Sequence, residues 1–173
     1  MPGKPSSRIR PVALLSTVRR DVSIILERPY TETIDHQAFR PDKRVLVLWA
    51  ADCAEHVLPF FTRECPADDR PNLAISLCRE WAATGVFRMA EIRKASLDAH
   101  AAAREAQGAS AQFAAHAAGQ AVATIHVPTH ASGCSVYAIR AAAAHTGNPD
   151  DGLKGERGWQ MECLRRIAAD REP

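Results

Sequence analysis

Aromatic residues are scarce in this chain of 173 residues, in which Phe, Trp and Tyr together account for 6%. Hydrophobic residues make up 46%, and alanine supplies much of that share. β-Sheets are usually built from β-branched and aromatic side chains, whereas alanine favours closely packed helices. The composition therefore predicts an all-α protein. The length is typical of a single domain with its own hydrophobic core.

The chain also lacks a strong charge of one sign, since 22 basic and 20 acidic residues give a net charge of +2. This balance predicts neither a nucleic-acid partner nor binding to an anionic membrane. No apolar run approaches the length that a transmembrane helix needs, and the basic start is not typical of a secretory signal. The five cysteines form no CxxC pair, which favours reduced thiols in the cytoplasm.

The motifs of the common enzyme classes are missing as well. The sequence has no glycine-rich phosphate loop, no GxSxG elbow and no zinc-binding cysteine set, so no cofactor is expected. His126 and His130 are four residues apart, a spacing at which two histidines on a continuous helix can chelate a metal ion. Pro128 lies between them and disturbs that geometry, and no third ligand is obvious. No metal site is therefore predicted, and a metal-binding bundle is the third of three hypotheses.

The chain divides into two parts. Residues 1–41 are basic and rich in proline, which predicts a partly disordered N-terminal extension whose run DVSIILE forms a short strand or helical turn. Residues 42–173 are predicted to form a single-domain bundle of five to six helices. The expected helices run from Asp42 to before Pro66, from the DDRP segment to Gly85, from Met89 to Gln107 and from a Ser110 cap to His126 or Val127. Either a kink or a break at Val127 to Thr129 leads into the fifth helix, which lasts through His145, and the last helix runs from about Glu156 to Arg171.

Polar residues fall on helix faces that the periodicity turns inward. On the first helix, Asp52 and His56 share a face with Trp49, and their four-residue spacing predicts that the carboxylate orients the imidazole. In the fourth helix, Gly119 costs roughly 1 kcal/mol relative to alanine, which predicts that another backbone approaches closely there.

The stretch ASAQFAAHAAGQAVATIHVPTHA, residues 109–131, sets an amide and three imidazoles into an alanine background. A buried imidazole or amide without a partner costs roughly 1–3 kcal/mol, so each of these groups must be satisfied. We therefore expect the carboxylate and imidazoles of the first, fourth and fifth helices to converge on one interior space. The polar residues of this stretch are His116, Gln120, His126 and His130.

This convergence predicts a candidate site with two kinds of residue. The candidate acid/base residues are Asp52, His56, His116 and His130. The candidate ligand-binding residues are Trp49, Gln120, His126, Tyr137, Arg157 and Trp159. The competing interpretation is that these groups only satisfy one another's hydrogen bonds inside the bundle.

Four blocks in order carry a resemblance to a known family: LWAADCAEHVLPFF, then DDRP, then AAHAAGQAVATIHVPTHASGCSVYAIRAA, and finally ERGWQMECL. Over about residues 44–168 they resemble the bacterial immunity proteins of polymorphic-toxin systems, which are small helical proteins. The resemblance implies that the chain binds and neutralises a cognate toxin without chemistry of its own, and a homodimer is left open. The alternative is a small-molecule-binding protein or cofactor-free acid/base enzyme, suited to natural-product processing or self-resistance, with an Asp- and His-lined pocket.

Overall fold

In the computed structural model, the described part of the chain, residues 42–169 without the side chains of Pro149 and Ala168, consists of α-helices joined by turns and short loops and contains no strand. The predicted all-α bundle is confirmed, and the expectations for residues 1–41 and for the last four residues lie outside the described part. The helices are α1 (Lys43–Thr62), α2 (Arg70–Thr84), α3 (Met89–Glu105), α4 (Ala109–Ala123), α5 (His130–Thr146) and α6 (Pro149–Ala169).

The first two helices begin and end where the sequence predicts. Asp42 caps α1, because its Oδ1 atom accepts a hydrogen bond of 2.9 Å from the backbone N–H of Arg44. Asp68 does the same for the start of α2, accepting from the N–H of Arg70 at 3.1 Å. Gly85 ends α2 with a φ of 71°, in the left-handed region that side chains with a Cβ seldom adopt.

The later boundaries differ from the prediction. Ser110 is not the cap of α4, which begins at Ala109; instead the Glu64 carboxylate reaches from the end of α1 and accepts from the N–H of Gly108 at 3.0 and 3.1 Å. Pro128 separates α4 from α5 and does not kink one continuous helix. The last helix begins earlier than predicted, because Pro149 and not Glu156 opens α6, and acidic residues follow in its first turn.

Helix α4 occupies the centre of the bundle and packs against α1, α2, α3 and α5. Its buried residues are alanines, one glycine and Val122, so the neighbouring helices can approach its backbone closely. Helix α6 closes the other side by packing on α5 and α1. At that crossing Gly152 lies against the α5 backbone, where an added Cβ would come within 2.6 Å of the Ala143 Cα.

Helix α1 supplies the largest side chains of the core, including Trp49, Phe61 and Leu46, each at most 1% exposed. By length and composition α1 could also cross a membrane, which the sequence analysis did not expect. More than half of its most apolar segment is buried inside the bundle.

Candidate functional site

A surface pocket of about 330 Å³ lies where α1, α2 and α6 meet. Three of its lining residues, Asp52, His56 and Trp159, belong to the predicted site. The lining is completed by Glu55, Arg79 and Arg166, which sequence analysis missed. The pocket therefore combines an imidazole, an indole, two carboxylates and two guanidinium groups.

Asp52 lies between the two arginines. Its Oδ1 atom accepts a hydrogen bond of 2.7 Å from Arg79 on α2, and Oδ2 accepts one of 3.3 Å from Arg166 on α6. Arg79 also forms an ion pair with Glu55. The Asp52 carboxylate thus joins three helices, and it does not form the expected pair with His56.

His56 instead pairs with a carboxylate from α6. Its Nδ1 lies 2.8 Å from Oε2 of Glu156, whose side chain is 2% exposed, whereas the His56 side chain is 41% exposed. The imidazole also stacks face to face on Trp159, with the ring centroids 3.8 Å apart and the planes 3° apart. A carboxylate at Nδ1 favours the tautomer that carries hydrogen there, which leaves the lone pair on Nε2.

Behind this pair, a buried hydrogen-bond network fixes Glu156. Its Oε1 atom accepts from the Gln160 amide at 2.9 Å, and the Gln160 carbonyl oxygen accepts from the Ser135 hydroxyl at 2.6 Å. The backbone oxygen of Gln160 accepts from the indole N–H of Trp49 at 2.9 Å. Trp49 is fully buried, so it supports the site from the core and does not line the pocket.

Four of the other predicted residues, joined by His100, form a second group at the junction of α3, α4 and α5, which we call the histidine row. In this row, Nδ1 of His116 lies 2.8 Å from Nδ1 of His100, and Nδ1 of His130 lies 2.6 Å from the Oε1 atom of Gln120. The row consists of His100, His116, Gln120, His126 and His130.

Three imidazoles of the histidine row are in surroundings that disfavour their charged form. Burial, followed by the nearby positive groups His116 and Arg104, lowers the pKa of His100 to about 4. Burial also lowers the pKa of His116 and His130, with further contributions from Arg104 and His126 respectively. All three rings are therefore neutral at pH 7.

The three remaining predicted residues, Tyr137, His126 and Arg157, differ in their environments. Tyr137 is half-buried, with its ring centroid 5.0 Å from that of His116. His126 has a buried Nδ1 atom without a hydrogen-bond partner, and its ring lies 5.6 Å from that of His130. Arg157 is half-buried on α6.

The expected single convergence is thus wrong, because its members separate into the pocket and the histidine row. None of the six residues that line the pocket belongs to the histidine row. Across residues 42–169, no group of three or more His, Cys, Asp or Glu side chains could hold a metal ion. A Cys134 nucleophile is also disfavoured, since the thiol is fully buried, its pKa is raised well above the ordinary value by desolvation, and it donates to the carbonyl of Ala50.

His100 is the main residue of the row that sequence analysis missed. The signal that could have found it is Gly119, whose added Cβ would lie 2.8 to 3.0 Å from three ring atoms of His100. The close approach predicted at Gly119 therefore exists, but the approaching group is an imidazole and not a backbone. Ser96, one turn before His100, donates a hydrogen bond of 3.0 Å to the carbonyl of Gly119.

A protein-family model described as "Imm-5 like putative immunity protein" matches residues 38–167, about three quarters of the chain. The chain belongs to this immunity-protein family. Searches of curated proteins and of solved structures gave no match. The family match covers α1 to α5 and nearly all of α6, so both the pocket and the histidine row lie inside the immunity-protein region.

Proposed function

We propose that the protein binds a cognate bacterial toxin and neutralises it, and that the surface around the α1–α2–α6 pocket contacts the toxin. The observation that carries this assignment of the surface is the clustering of Trp159, Arg79 and Arg166 around one pocket. Tryptophan and arginine are enriched among the few residues that dominate protein–protein binding energy. Family membership supports the general immunity role.

The pocket is smaller than a whole interface. Stable protein–protein complexes bury at least about 1,200 Å² in total, so the contact would extend from the pocket over the exposed faces of α1, α2 and α6. Trp159 is held in place by its stack on His56, and Arg79 by its two carboxylate partners. Groups that are fixed before binding lose less conformational entropy when the partner arrives.

The test is binding to each toxin encoded near the gene, by co-expression and by calorimetry with the purified pair. Arg166→Glu reverses a charge at the pocket, on a side chain that is 64% exposed. The matched control is Arg165→Glu, since Arg165 is adjacent, 50% exposed and paired with Glu162 outside the pocket. We expect Arg166→Glu to weaken binding at least about tenfold and the control to change it little.

Two outcomes would contradict this proposal in different ways. Equal affinity for both variants would remove the pocket from the interface while leaving the immunity role. Failure of every neighbouring toxin to bind or be neutralised would reject the immunity role itself.

The small-molecule alternative stays a prediction and would use the same pocket. Its His56–Glu156 pair has the arrangement of an oriented general base, with the buried carboxylate at Nδ1. A ligand that protects the folded protein against thermal unfolding, and no longer does so in His56→Ala, would support this alternative.

A further inference from the structure

Helix α3 is held to the bundle by little apolar surface. It packs mainly on α2 and α4, and its buried residues are Ile92 and three alanines. Leu97 on the same helix is 60% exposed. Apolar burial is the main favourable term in helix packing. Because α3 buries little apolar surface, its polar contacts contribute an unusually large share of the free energy that holds it on the bundle.

Among the side-chain contacts of α3, the one between His100 and His116 is half-buried, whereas the ion pair of Glu105 with Arg70 on α2 is exposed. With both rings neutral, one Nδ1 atom carries hydrogen and the other accepts it, at 2.8 Å. One added proton preserves the bond, because an imidazolium can still donate Nδ1–H to a neutral ring. A second proton abolishes the bond, since both Nδ1 atoms would then carry hydrogen and both rings would be positive.

The surroundings make this second state unfavourable. The charged groups that act on His100 are His116 on α4, Arg104 on α3 and His130 on α5, each of which is positive or becomes positive on protonation. Next to His130 lies His126, while Gln120 and Tyr137 supply only neutral partners. Acid therefore adds charges of one sign to a half-buried cluster.

We propose that the His100–His116 contact is an acid-sensitive latch that holds α3 against α4 at neutral pH and releases it when both imidazoles are protonated. Release disrupts the packing of the His100 ring over Gly119. It also loosens the neighbouring hydrogen bond from Ser96 to the Gly119 carbonyl. The His100–His116 contact is separate from the proposed toxin contact, because its two residues lie on α3 and α4, whereas the pocket is lined by α1, α2 and α6.

The sign of the pH effect follows from the direction of the pKa shifts. The pKa of His100 falls from an ordinary 6.5 to about 4 on folding, and the pKa of His116 falls as well. The unfolded chain therefore takes up protons first, so stability is complete above pH 6.5 and is lost as the pH falls toward 4. Each imidazole kept neutral by folding raises the unfolding equilibrium constant about tenfold between pH 7.5 and pH 5.5.

The experiment is urea unfolding of the full chain at pH 7.5 and 5.5, a range in which ordinary carboxylates stay ionised. In His116→Asn the amide keeps a hydrogen-bond partner for His100 but cannot titrate. We expect this variant to lose part of the wild-type response to acid, at most about tenfold in the unfolding equilibrium constant, because folding lowers the pKa of His116. The control is His145→Asn, because His145 is exposed and stacks on Phe60 away from the row, and it should keep the full response of the latch.

A second measurement covers the case in which His116→Asn does not fold. Proton NMR titration of the wild-type ring resonances should give a pKa near 4 for His100 and a pKa below 6.5 for His116. Amide exchange in α3 should accelerate at pH 5 relative to the other helices after correction for intrinsic rates. Ordinary pKa values for both rings would overturn the proposal. So would equal responses to acid in the wild type and His116→Asn, or uniform exchange throughout the bundle.

Discussion

Three glycines in helices should respond in different ways to the same Gly→Ala change. In α6, an alanine Cβ at Gly155 would meet no atom within 4 Å. In α4, the Cβ at Gly119 would lie 2.8 to 3.0 Å from the His100 ring. At Gly152 it would lie 2.6 Å from the Ala143 Cα and 2.8 Å from the Ala142 carbonyl oxygen.

The expected change in the free energy of unfolding depends on which atoms the added Cβ would displace. Gly155→Ala meets nothing and should stabilise the protein by about 0.5–1 kcal/mol through helix propensity. Gly119→Ala displaces an imidazole and its hydrogen bond, so the cost of overpacking exceeds the propensity gain and the net loss should be about 1–3 kcal/mol. Gly152→Ala must separate two helix backbones, which cannot rotate aside as a side chain can, and should cost about 2–4 kcal/mol.

Urea unfolding followed by circular dichroism measures all three variants, with the slope m used to check that each unfolds as the wild type does. The variant His100→Ala provides an internal test, because removing the ring should make Gly119→Ala neutral or stabilising in that background. The reasoning would be refuted if Gly152→Ala were as stable as the wild type. A loss at Gly119→Ala that persisted without the His100 ring would refute the packing argument there.

Further predictions concern single contacts described above. Glu64→Ala should lower stability by about 1 kcal/mol, measured by urea midpoint, because it removes the carboxylate that caps the start of α4; an unchanged midpoint would contradict this role. Glu156→Ala should cost about 1–3 kcal/mol and alter tryptophan fluorescence, since His56 loses the buried partner that aligns its stack; preserved stability and fluorescence would contradict it. In thiol labelling of the folded protein, Cys65 should react before Cys53, because Cys53 is buried and desolvation raises the pKa of its thiol. Labelling of Cys53 at the rate of the unfolded chain would disprove its burial.

The course of the helices along the chain was largely predictable from local chemistry. Asp42 and Gly85 mark ends through capping and backbone conformation, which depend on neighbouring residues only. The start of α6 was missed although Pro149 and two following acids are a recognised start signal. Three glycines in that helix reduce its intrinsic propensity, and packing on α5 compensates for this loss.

The partners of the polar groups were not predictable in the same way. Asp52 and His56 are one turn apart, yet Asp52 pairs with Arg79 on α2, and His56 pairs with Glu156, which is 100 residues away in sequence. Helical periodicity gives the face on which a residue lies but not the helix that covers that face. For this reason the sequence identified polar residues that bond across helices, while the division into the pocket and the histidine row required the structure.

The central place of α4 has a consequence for how the chain acquires its structure during translation. Helices α1, α2 and α3 are synthesised before α4, yet each of them has α4 as a shared neighbour. A nascent chain that ends before residue 109 thus exposes the faces that α4 will cover, and we expect it to be a substrate for chaperones and proteases. We expect cooperative folding to begin only after the alanine-rich segment has left the ribosome.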